Sequence, residues 1–339
     1  MNDGAHGVGD VAEPRSDAVR APRFSVVIPL YNKARHVEAA IRSVLAQTFS
    51  SFEIIVVNDA STDGSREIVE AMVSPRIRLL DRAVPGPGGY AARNLGTSVA
   101  VGEWLTYLDA DDTWSEDRLE RLQAAIQQFP DANIHACAWL VARRDGTVRK
   151  NKYARFHGAR GAHRVTLTDY LLSLRKNRPV IHTDTIAIRR SSLPDCAVFP
   201  ADVGLRRGGD TYAWLRLMCR ERCLVWSPNA GANYFVDSDN MVTRTVEVDV
   251  AALARPLIAA LEQELSVRER GLLRRAANGL VWANWLGEVQ QGRPGFPLRR
   301  HLFWRGACGQ ALAMALASSV PKQAIRGIRR VAKFSSTGV

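Results

Sequence analysis

Hydrophobic positions in the first third of the chain fall into unbroken runs separated by helically spaced segments. FSVVIPL at 24–30 and FEIIVV at 52–57 are continuous apolar runs rich in β-branched residues. Such runs are typical of strands buried on both faces of a sheet. Shorter runs of the same kind lie at 76–80 and 104–108. We therefore predict four buried strands in this part of the chain.

Between these runs, apolar residues return every three or four positions, which predicts helices with one buried face. The clearest examples are Val37, Ile41, Val44 and Leu45, and then Leu119, Leu122, Ile126 and Phe129. Alternating strands and helices predict an α/β fold in which helices cover both faces of a parallel sheet. In such a sheet, ligands bind beyond the carboxyl ends of the strands.

The second half of the chain carries weaker signals. We predict a hairpin at 134–150, a helix at 166–174, a strand at 180–188 and a helix at 210–220. The pattern is helical from about residue 248 to the end.

The net charge of +12 is concentrated in two patches. Residues 141–164 hold eight Lys or Arg and one Asp, and residues 291–339 hold nine Lys or Arg and no acid. The rest of the chain is slightly negative, which disfavours a nucleic-acid binder. In 321–334 the basic residues fall on one helical arc beside apolar ones, as in helices that lie on anionic membrane surfaces. The alternative is a helix packed on the enzyme with a solvated basic face.

Cysteine usage and the amino terminus indicate a cytoplasmic protein. The five cysteines are odd in number and follow no disulfide or zinc spacing. Residues 1–22 contain no apolar run of the kind a secretory signal needs, and we expect a disordered tail there. No apolar stretch is long enough to span a bilayer.

Polar clusters follow three of the predicted strands: Pro29 to Asn32, Asn58 with Asp59, and Asp109 to Asp112. Two carboxylates one residue apart, at Asp109 and Asp111, suit a hard cation such as Mg²⁺ or Mn²⁺. The alternative is a solvated loop whose aspartates cap the next helix.

Three ordered motifs make the interpretation more specific: FSVVIPLYNKARHVEAAIRSVLAQTFSSFEIIVVNDASTDGS, GYAARNLG and GEWLTYLDADDTW. They resemble the amino-terminal half of family-2 glycosyltransferases, and a weaker likeness continues to about residue 245. The resemblance implies a GT-A fold, with a Rossmann-like, mostly parallel sheet flanked by helices. It also implies an inverting, metal-dependent hexosyltransferase that moves a sugar from a nucleotide-sugar, with a UDP-sugar expected, to an acceptor hydroxyl.

The resemblance and the charge pattern together predict a division of the chain and a role. We expect a nucleotide-sugar half at 23–130 and an acceptor half at 131–247, which together form the catalytic domain. A helical, basic carboxyl-terminal extension at 248–339 would follow, in peripheral contact with the inner face of the plasma membrane. The expected acceptor is a carbohydrate or a lipid-linked molecule, in the synthesis of a cell-surface polysaccharide or glycolipid.

Donor-binding roles carry over to five residues. Pro29 and Tyr31 match the loop that packs on the donor's base, and Asp59 matches the carboxylate that binds the pyrimidine. Arg93 and Asp109 match further groups that hold the donor. Ordinary structural alternatives are a core tyrosine for Tyr31, turn chemistry for Asp59 and an exposed helix charge for Arg93.

The metal and catalytic roles fall on three aspartates. Asp109 and Asp111 match the family's metal pair, with Asp111 as the more direct ligand. Asp210 matches the general base at the start of a helix, although Gly209 stands where the family usually has Glu. A helix N-cap is the alternative role for Asp210.

Two other functions remain as alternatives to this one. A sugar-nucleotide pyrophosphorylase should carry a Gly-rich basic loop directly after the first strand, where this chain has PLYNKARH. A non-catalytic nucleotide-sugar-binding protein is supported only by Gly209.

Overall fold

The protein is described by a computed structural model that covers residues 21–203, 205, 207–236, 256–290 and 296–319. In this part of the chain, ten strands form one mixed sheet. They are β1 (Phe24–Leu30), β2 (Phe52–Asn58), β3 (Ile77–Asp81), β4 (Trp104–Tyr107), β5 (Thr113–Trp114), β6 (Ile134–Ala142), β7 (Val148–Lys150), β8 (His163–Thr166), β9 (Ile186–Arg189) and β10 (Cys223–Phe235).

Helices flank the sheet and dominate the carboxyl-terminal part. They are α1 (Val37–Leu45), α2 (Ser65–Glu70), α3 (Tyr90–Val99), α4 (Arg118–Gln128), α5 (Lys152–His157), α6 (Leu167–Arg175), α7 (Gly209–Glu221), α8 (Pro256–Leu261), α9 (Val267–Gln290), α10 (Leu298–His301) and α11 (Cys308–Ala317). The predicted α/β class, with a helical carboxyl-terminal region, is confirmed.

The strand order in the sheet is β3-β2-β1-β4-β9-β6-β10-β5. β1 pairs in parallel with β2 and with β4, and Leu30 at the end of β1 lies opposite Asn58 at the end of β2. β9 is antiparallel to both β4 and β6. The carboxyl ends of the first strands therefore meet at one edge, as expected for the nucleotide-binding part of such a sheet.

Apolar side chains cover both faces of the sheet. One buried cluster packs α1 and α4 on β1 and β2, and includes Ile28, Ile41 and Leu119. On the other face α3 lies so close that a Cβ added at Gly96 would be 2.4 Å from Cγ1 of Val27. Any residue with a side chain at this position would therefore push α3 away from the sheet.

The first carboxyl-terminal helices share the core of the rest of the protein, whereas the end of α9 packs with α10 and α11 in a separate buried cluster. Leu273 and Ala276 of α9 belong to the same buried cluster as Tyr170 of α6 and Trp214 of α7. Buried Asn278 fixes the next segment, since its side chain exchanges two hydrogen bonds of 2.9 and 2.7 Å with the backbone of Phe303. Among the described helices, none is long and apolar enough to cross a membrane.

One predicted element is only partly formed. The strand expected at 180–188 is confined to Ile186–Arg189 because residues 183–185 form a 3₁₀ turn. His182 closes this turn: its carbonyl accepts the N–H of Thr185 at 3.0 Å. The turn places Asp184 at the sheet edge, with no exposed surface.

Candidate active site

The polar clusters predicted from the sequence meet at the carboxyl ends of β1, β2 and β4. The N–H of Asp59, just after β2, donates to the carbonyl of Leu30 at the end of β1, over 2.7 Å. Asp109 lies two residues beyond the end of β4. Because β1 pairs in parallel with both β2 and β4, Asp59 and Asp109 lie at the same edge of the sheet.

Asp59 has a fixed position in this site. Its carboxylate is 1% exposed, forms an ion pair with Arg82, and accepts the N–H of Gly86 at 3.0 Å. The carboxylate therefore links the segment after β3 to the glycine-rich loop at 85–89. Arg82 was not singled out from the sequence, where it has no signal beyond its position after a strand.

Arg93 is buried, so the alternative of an exposed helix charge is wrong. Its Nη2 lies 2.5 Å from Oδ1 of Asp109, and its Nη1 donates to the carbonyl of Gly88 at 2.9 Å. Burial by itself lowers the pKa of Arg93, but the Asp109 carboxylate outweighs it and raises the pKa above the usual value. The cation is therefore retained and aligned by its partner.

Pro29 and Tyr31 flank the same opening. Tyr31 is 48% exposed, which contradicts the alternative of a core tyrosine and leaves its ring accessible. Pro29 faces the glycine-rich loop, with its Cβ 3.5 Å from the position of a Cβ on Gly89. Both residues lie at the carboxyl end of β1, and their donor-binding roles stay predictions.

The loop after β4 brings together carboxylates that the sequence placed far apart. Oxygen atoms of Asp109, Asp112 and Asp184 all lie within 4.8 Å of one another. The N–H of Asp109 donates to Oδ1 of Asp184 at 2.8 Å, and Oδ1 of Asp112 accepts the N–H of Phe235 at 2.8 Å. Burial, with the negative charges of Asp184 and Asp111, raises the pKa of Asp112 well above its usual value.

These side chains fit a divalent cation. All the donors are hard oxygens, the kind of ligand that Mg²⁺ and Mn²⁺ prefer. Oδ2 of Asp112 is buried and accepts no hydrogen bond from the described residues. A buried carboxylate of this kind is either protonated, as its raised pKa favours, or compensated by a positive charge such as a bound cation.

Asp111, the residue predicted as the more direct metal ligand, forms an ion pair with Lys33. The Nζ of Lys33 lies 2.7 Å from Oδ2 of Asp111, and both side chains are mostly buried. Lys33 belongs to the loop after β1 and was not singled out from the sequence. Nor was Asp184, whose only signal was a polar pair, His182 and Asp184, inside an apolar run.

Asp184 is firmly anchored. Its carbonyl accepts hydrogen bonds from Nε1 of Trp114 at 3.0 Å and from Nε and Nη2 of Arg118 at 3.1 and 2.8 Å. His182 Nδ1 lies 3.0 Å from Oδ2 of Asp184. Burial opposes the charged form of His182, but Asp184 outweighs it and raises the pKa of the imidazole.

Asp210 lies in the first turn of α7, one residue after Gly209, the helix's first residue. The N-cap is Gly208, so Asp210 is not the capping residue of the alternative interpretation. The N–H of Gly209, the residue before Asp210, donates to Oη of Tyr90 at 2.9 Å, and Tyr90 shares the first turn of α3 with Arg93. The negative charge of Asp210 helps to raise the pKa of both Arg93 and His182. The predicted base is therefore on the same side of the sheet as the predicted donor site.

Solved structures with the same architecture place this protein among GT-A-like α/β proteins. TarS of S. aureus, residues 1–349 in complex with UDP-GlcNAc, superposes with a TM-score of 0.68 over 91% of this chain and 92% of that chain, at 16% identity. A mannosyltransferase of Pyrobaculum calidifontis in complex with GDP-Man and Mn²⁺ gives a TM-score of 0.52 at 20% identity, over 91% and 84%.

The family follows from sequence comparison. Residues 25–196 match the family described as "Glycosyl transferase family 2". The succinoglycan biosynthesis protein ExoO of Rhizobium meliloti is 32% identical over 281 residues, which cover 77% of each chain. The chain therefore belongs to glycosyl transferase family 2. Its match to two other curated glycosyltransferases is shorter and spans 33% and 37% of their lengths.

Proposed function

We propose that this protein is a metal-dependent, inverting glycosyltransferase that moves a sugar from a UDP-sugar to an acceptor hydroxyl. The observation that carries the proposal is the contact of α7 with α3 next to Asp210: the N–H of Gly209 donates to Tyr90, three residues before the Arg93 that pairs with Asp109. The Arg93–Asp109 pair suits a diphosphate, and Asp210 suits the acceptor hydroxyl that displaces the diphosphate.

The donor side is supported by the arrangement around Asp59. The Asp59 carboxylate, held by Arg82 and Gly86, would accept the imide N–H of uracil, and the exposed ring of Tyr31 would stack on the base. Two GT-A-like neighbours were solved with nucleotide sugars, one with UDP-GlcNAc and one with GDP-Man. We favour a uridine nucleotide because Asp59 matches the family's pyrimidine-binding carboxylate.

The metal would be held by Asp109 and Asp111, with Asp112 and Asp184 adjoining. A bound Mg²⁺ or Mn²⁺ would neutralise the diphosphate as it leaves. The Lys33 ammonium, which pairs with Oδ2 of Asp111, would add positive charge next to the metal and the phosphates. Arg93 contributes a second, fixed positive charge whose orientation costs no reorganisation during the reaction.

The chemical step needs a base on the acceptor side. The acceptor oxygen forms a bond to the anomeric carbon while the bond from that carbon to the diphosphate oxygen breaks, and its electron pair leaves with the diphosphate. The carboxylate of Asp210 takes the hydroxyl proton. Attack opposite to the leaving group inverts the anomeric centre.

The experiment combines a donor screen with one substitution. A panel of UDP-, GDP-, ADP- and dTDP-sugars is tested for metal-dependent release of the nucleoside diphosphate. Asp210→Asn should lower turnover by about 10²–10⁴-fold, with unchanged UDP affinity. Asp202→Asn, on an exposed aspartate nearby, serves as the matched control. Near-normal turnover in folded Asp210→Asn refutes the assignment, and UDP binding with no turnover of any donor favours the non-catalytic alternative.

The biological setting is part of the proposal. ExoO is named as a succinoglycan biosynthesis protein, which supports a role in making a cell-surface polysaccharide or glycolipid. We further propose that residues 321–334 hold the enzyme on the inner face of the plasma membrane, near a lipid-linked or carbohydrate acceptor. These residues lie outside the described part of the chain.

A further inference from the structure

Gly209, which stands where family-2 enzymes usually have Glu, lies against an aromatic ring. A Cβ at this position would be 2.7 Å from Cε2 and Cζ of Tyr90 and 3.0 Å from Cγ of Pro200. Real Cβ atoms essentially never come within 3.0 Å of another group, so no side chain fits there without displacing Tyr90. The glycine is therefore explained by the ring that occupies the space next to it.

The ring of Tyr90 is held from several sides. A Cβ added at Gly88, a residue with φ of +63°, would lie 2.6 Å from Cζ of Tyr90, so the ring packs between two glycines. It also stacks on Phe199, with centroids 6.2 Å apart and planes within 9°. Phe199 is fixed in turn because its backbone exchanges hydrogen bonds of 2.9 and 2.8 Å with the side chain of Asn94. Tyr90 is 4% exposed and has little freedom to move.

The hydroxyl of Tyr90 accepts a hydrogen bond from the backbone N–H of the first residue of α7. Its Oη accepts the N–H of Gly209 at 2.9 Å. The first N–H groups of a helix have no partner within the helix, and Gly208 at the N-cap has no side chain to supply one. Tyr90 thus takes the role of the missing cap, and the next residue on the helix is Asp210.

Tyr90 also belongs to the donor side of the site. It is the first residue of α3, which carries Arg93 less than one turn later. The glycine-rich loop that precedes it binds Asp59 through the N–H of Gly86. A single side chain therefore joins the segment that positions the donor-binding groups to the helix that carries the base.

We propose that Tyr90 is a positioning residue that holds Asp210 in register with the Arg93–Asp109 pair through its hydrogen bond to Gly209. In this role it replaces the structural contribution of the Glu that the family usually has at this point. The inference rests on the proposed function, because it gives Asp210 the part of general base.

The first test removes only the hydroxyl. Tyr90→Phe should lower kcat about 10-fold and leave the affinity for UDP, measured by calorimetry, within twofold of wild type. Tyr212→Phe is the matched control, because it removes the hydroxyl of a second buried tyrosine, which lies on α7. This variant should have the kcat of the wild type. An unchanged kcat in Tyr90→Phe overturns the proposal. So does a fall in UDP affinity as large as the fall in kcat, which indicates a general loss of structure.

The second test exchanges the two positions. Gly209→Glu alone should lose most activity because its Cβ meets the Tyr90 ring. Tyr90→Ser in the same chain removes the ring, so the double variant should be more active than either single variant. Double-variant activity at or below that of the worse single variant contradicts the proposed exchange of roles. Melting temperatures of all three identify any variant that fails to fold. In that case the kcat of Tyr90→Phe decides whether the proposal holds.

A third comparison separates the failure of this inference from the failure of the proposed function. In the Asp210→Asn background, Tyr90→Phe should have no further effect on turnover, because Tyr90 acts through Asp210. If Tyr90→Phe lowers turnover in this background as much as it does in the wild type, Tyr90 acts independently of Asp210. That result contradicts this inference but not the proposed function. Normal turnover in the single variant Asp210→Asn contradicts the proposed function.

Discussion

Arg93 and Asp109 form an ion pair at the candidate active site, with Nη2 and Oδ1 2.5 Å apart. The arginine comes from α3 and the aspartate from the loop after β4. Their side chains are 9% and 28% exposed, so each neutralises the other in surroundings with little water. The pair therefore holds a fixed positive group beside the carboxylates that would bind a metal.

Removing one member of this pair should affect both stability and donor binding. We expect Arg93→Met to lower the free energy of unfolding by about 3 kcal/mol, because it leaves Asp109 uncompensated. UDP affinity should fall at least about 10-fold, the equivalent of about 1.4 kcal/mol. Urea unfolding and calorimetry give the two quantities. Arg42→Ala, at a 70% exposed arginine, is the control and should change neither. If Arg93→Met/Asp109→Asn is no more stable than Arg93→Met, the pairing explanation is wrong.

Donor binding should require a divalent cation and Asp111. We expect UDP affinity to rise on addition of Mn²⁺ in the wild type and to be unaffected by Mn²⁺ in Asp111→Ala, because the metal joins carboxylates to phosphates. Calorimetric titration with Mn²⁺ and after EDTA treatment measures this. Asp131→Ala, at an aspartate 70% exposed, is the control and should respond to Mn²⁺ as the wild type does. Equal UDP affinity with Mn²⁺ and with EDTA would exclude the metal assignment.

Two helical glycines should respond oppositely to alanine. Gly96→Ala in α3 places a Cβ 2.4 Å from Cγ1 of Val27 and should destabilise the fold by about 1–3 kcal/mol. At Gly287 in α9 an added Cβ meets nothing within 4 Å, so Gly287→Ala should stabilise by up to about 1 kcal/mol through helix propensity. Urea unfolding of the two variants checks the difference. A shift of the same sign in both would show that packing against the sheet is not what requires glycine at 96.

Acid should destabilise the protein partly through His135. Burial, followed by the charges of Arg189 and Arg164, lowers the pKa of His135 from 6.5 to about 4. The neutral imidazole is thus favoured by folding, so its contribution is complete above pH 6.5 and is lost as the pH falls towards 4. This loss amounts to roughly 3 kcal/mol.

The comparison that isolates this contribution uses His135→Gln, which cannot take up a proton. Urea unfolding of both proteins at several values between pH 7.5 and 4 should show a steeper decline for the wild type. Parallel curves would mean that His135 titrates normally in the folded protein.

The basic segment at 321–334 should bind anionic membranes. Each Lys or Arg near such a surface contributes about 1 kcal/mol, and the attraction is screened by salt. Full-length protein should pellet with vesicles that contain anionic lipid at low salt and be released at high salt, whereas a chain ending at Val320 should stay in solution. If the two chains partition alike, the segment has another function, such as packing or oligomerisation.

The sequence by itself determined the parts of this protein that depend on local geometry. Strand and helix periodicities are set by the backbone of each segment, so the runs at 24–30 and 52–57 became β1 and most of β2. Since parallel strands end at one edge, Asp59 and Asp109 lie beyond the carboxyl ends of parallel strands, as the strand pattern predicts. The motifs also identified the family, because their order along the chain is itself sequence information.

Tertiary structure decided the contacts between segments that no local pattern relates. Lys33 meets Asp111 across 78 residues, and Tyr90 meets Gly209 across 119. Asp184 joins the carboxylates only because a 3₁₀ turn, closed by His182, interrupts the expected strand. Hydrophobic periodicity predicts which face of an element is buried, but the partner of each polar group depends on how those elements pack. In the sequence Gly209 is only a departure from the family's pattern. The structure gives its physical reason, because Gly209 lies directly against the Tyr90 ring.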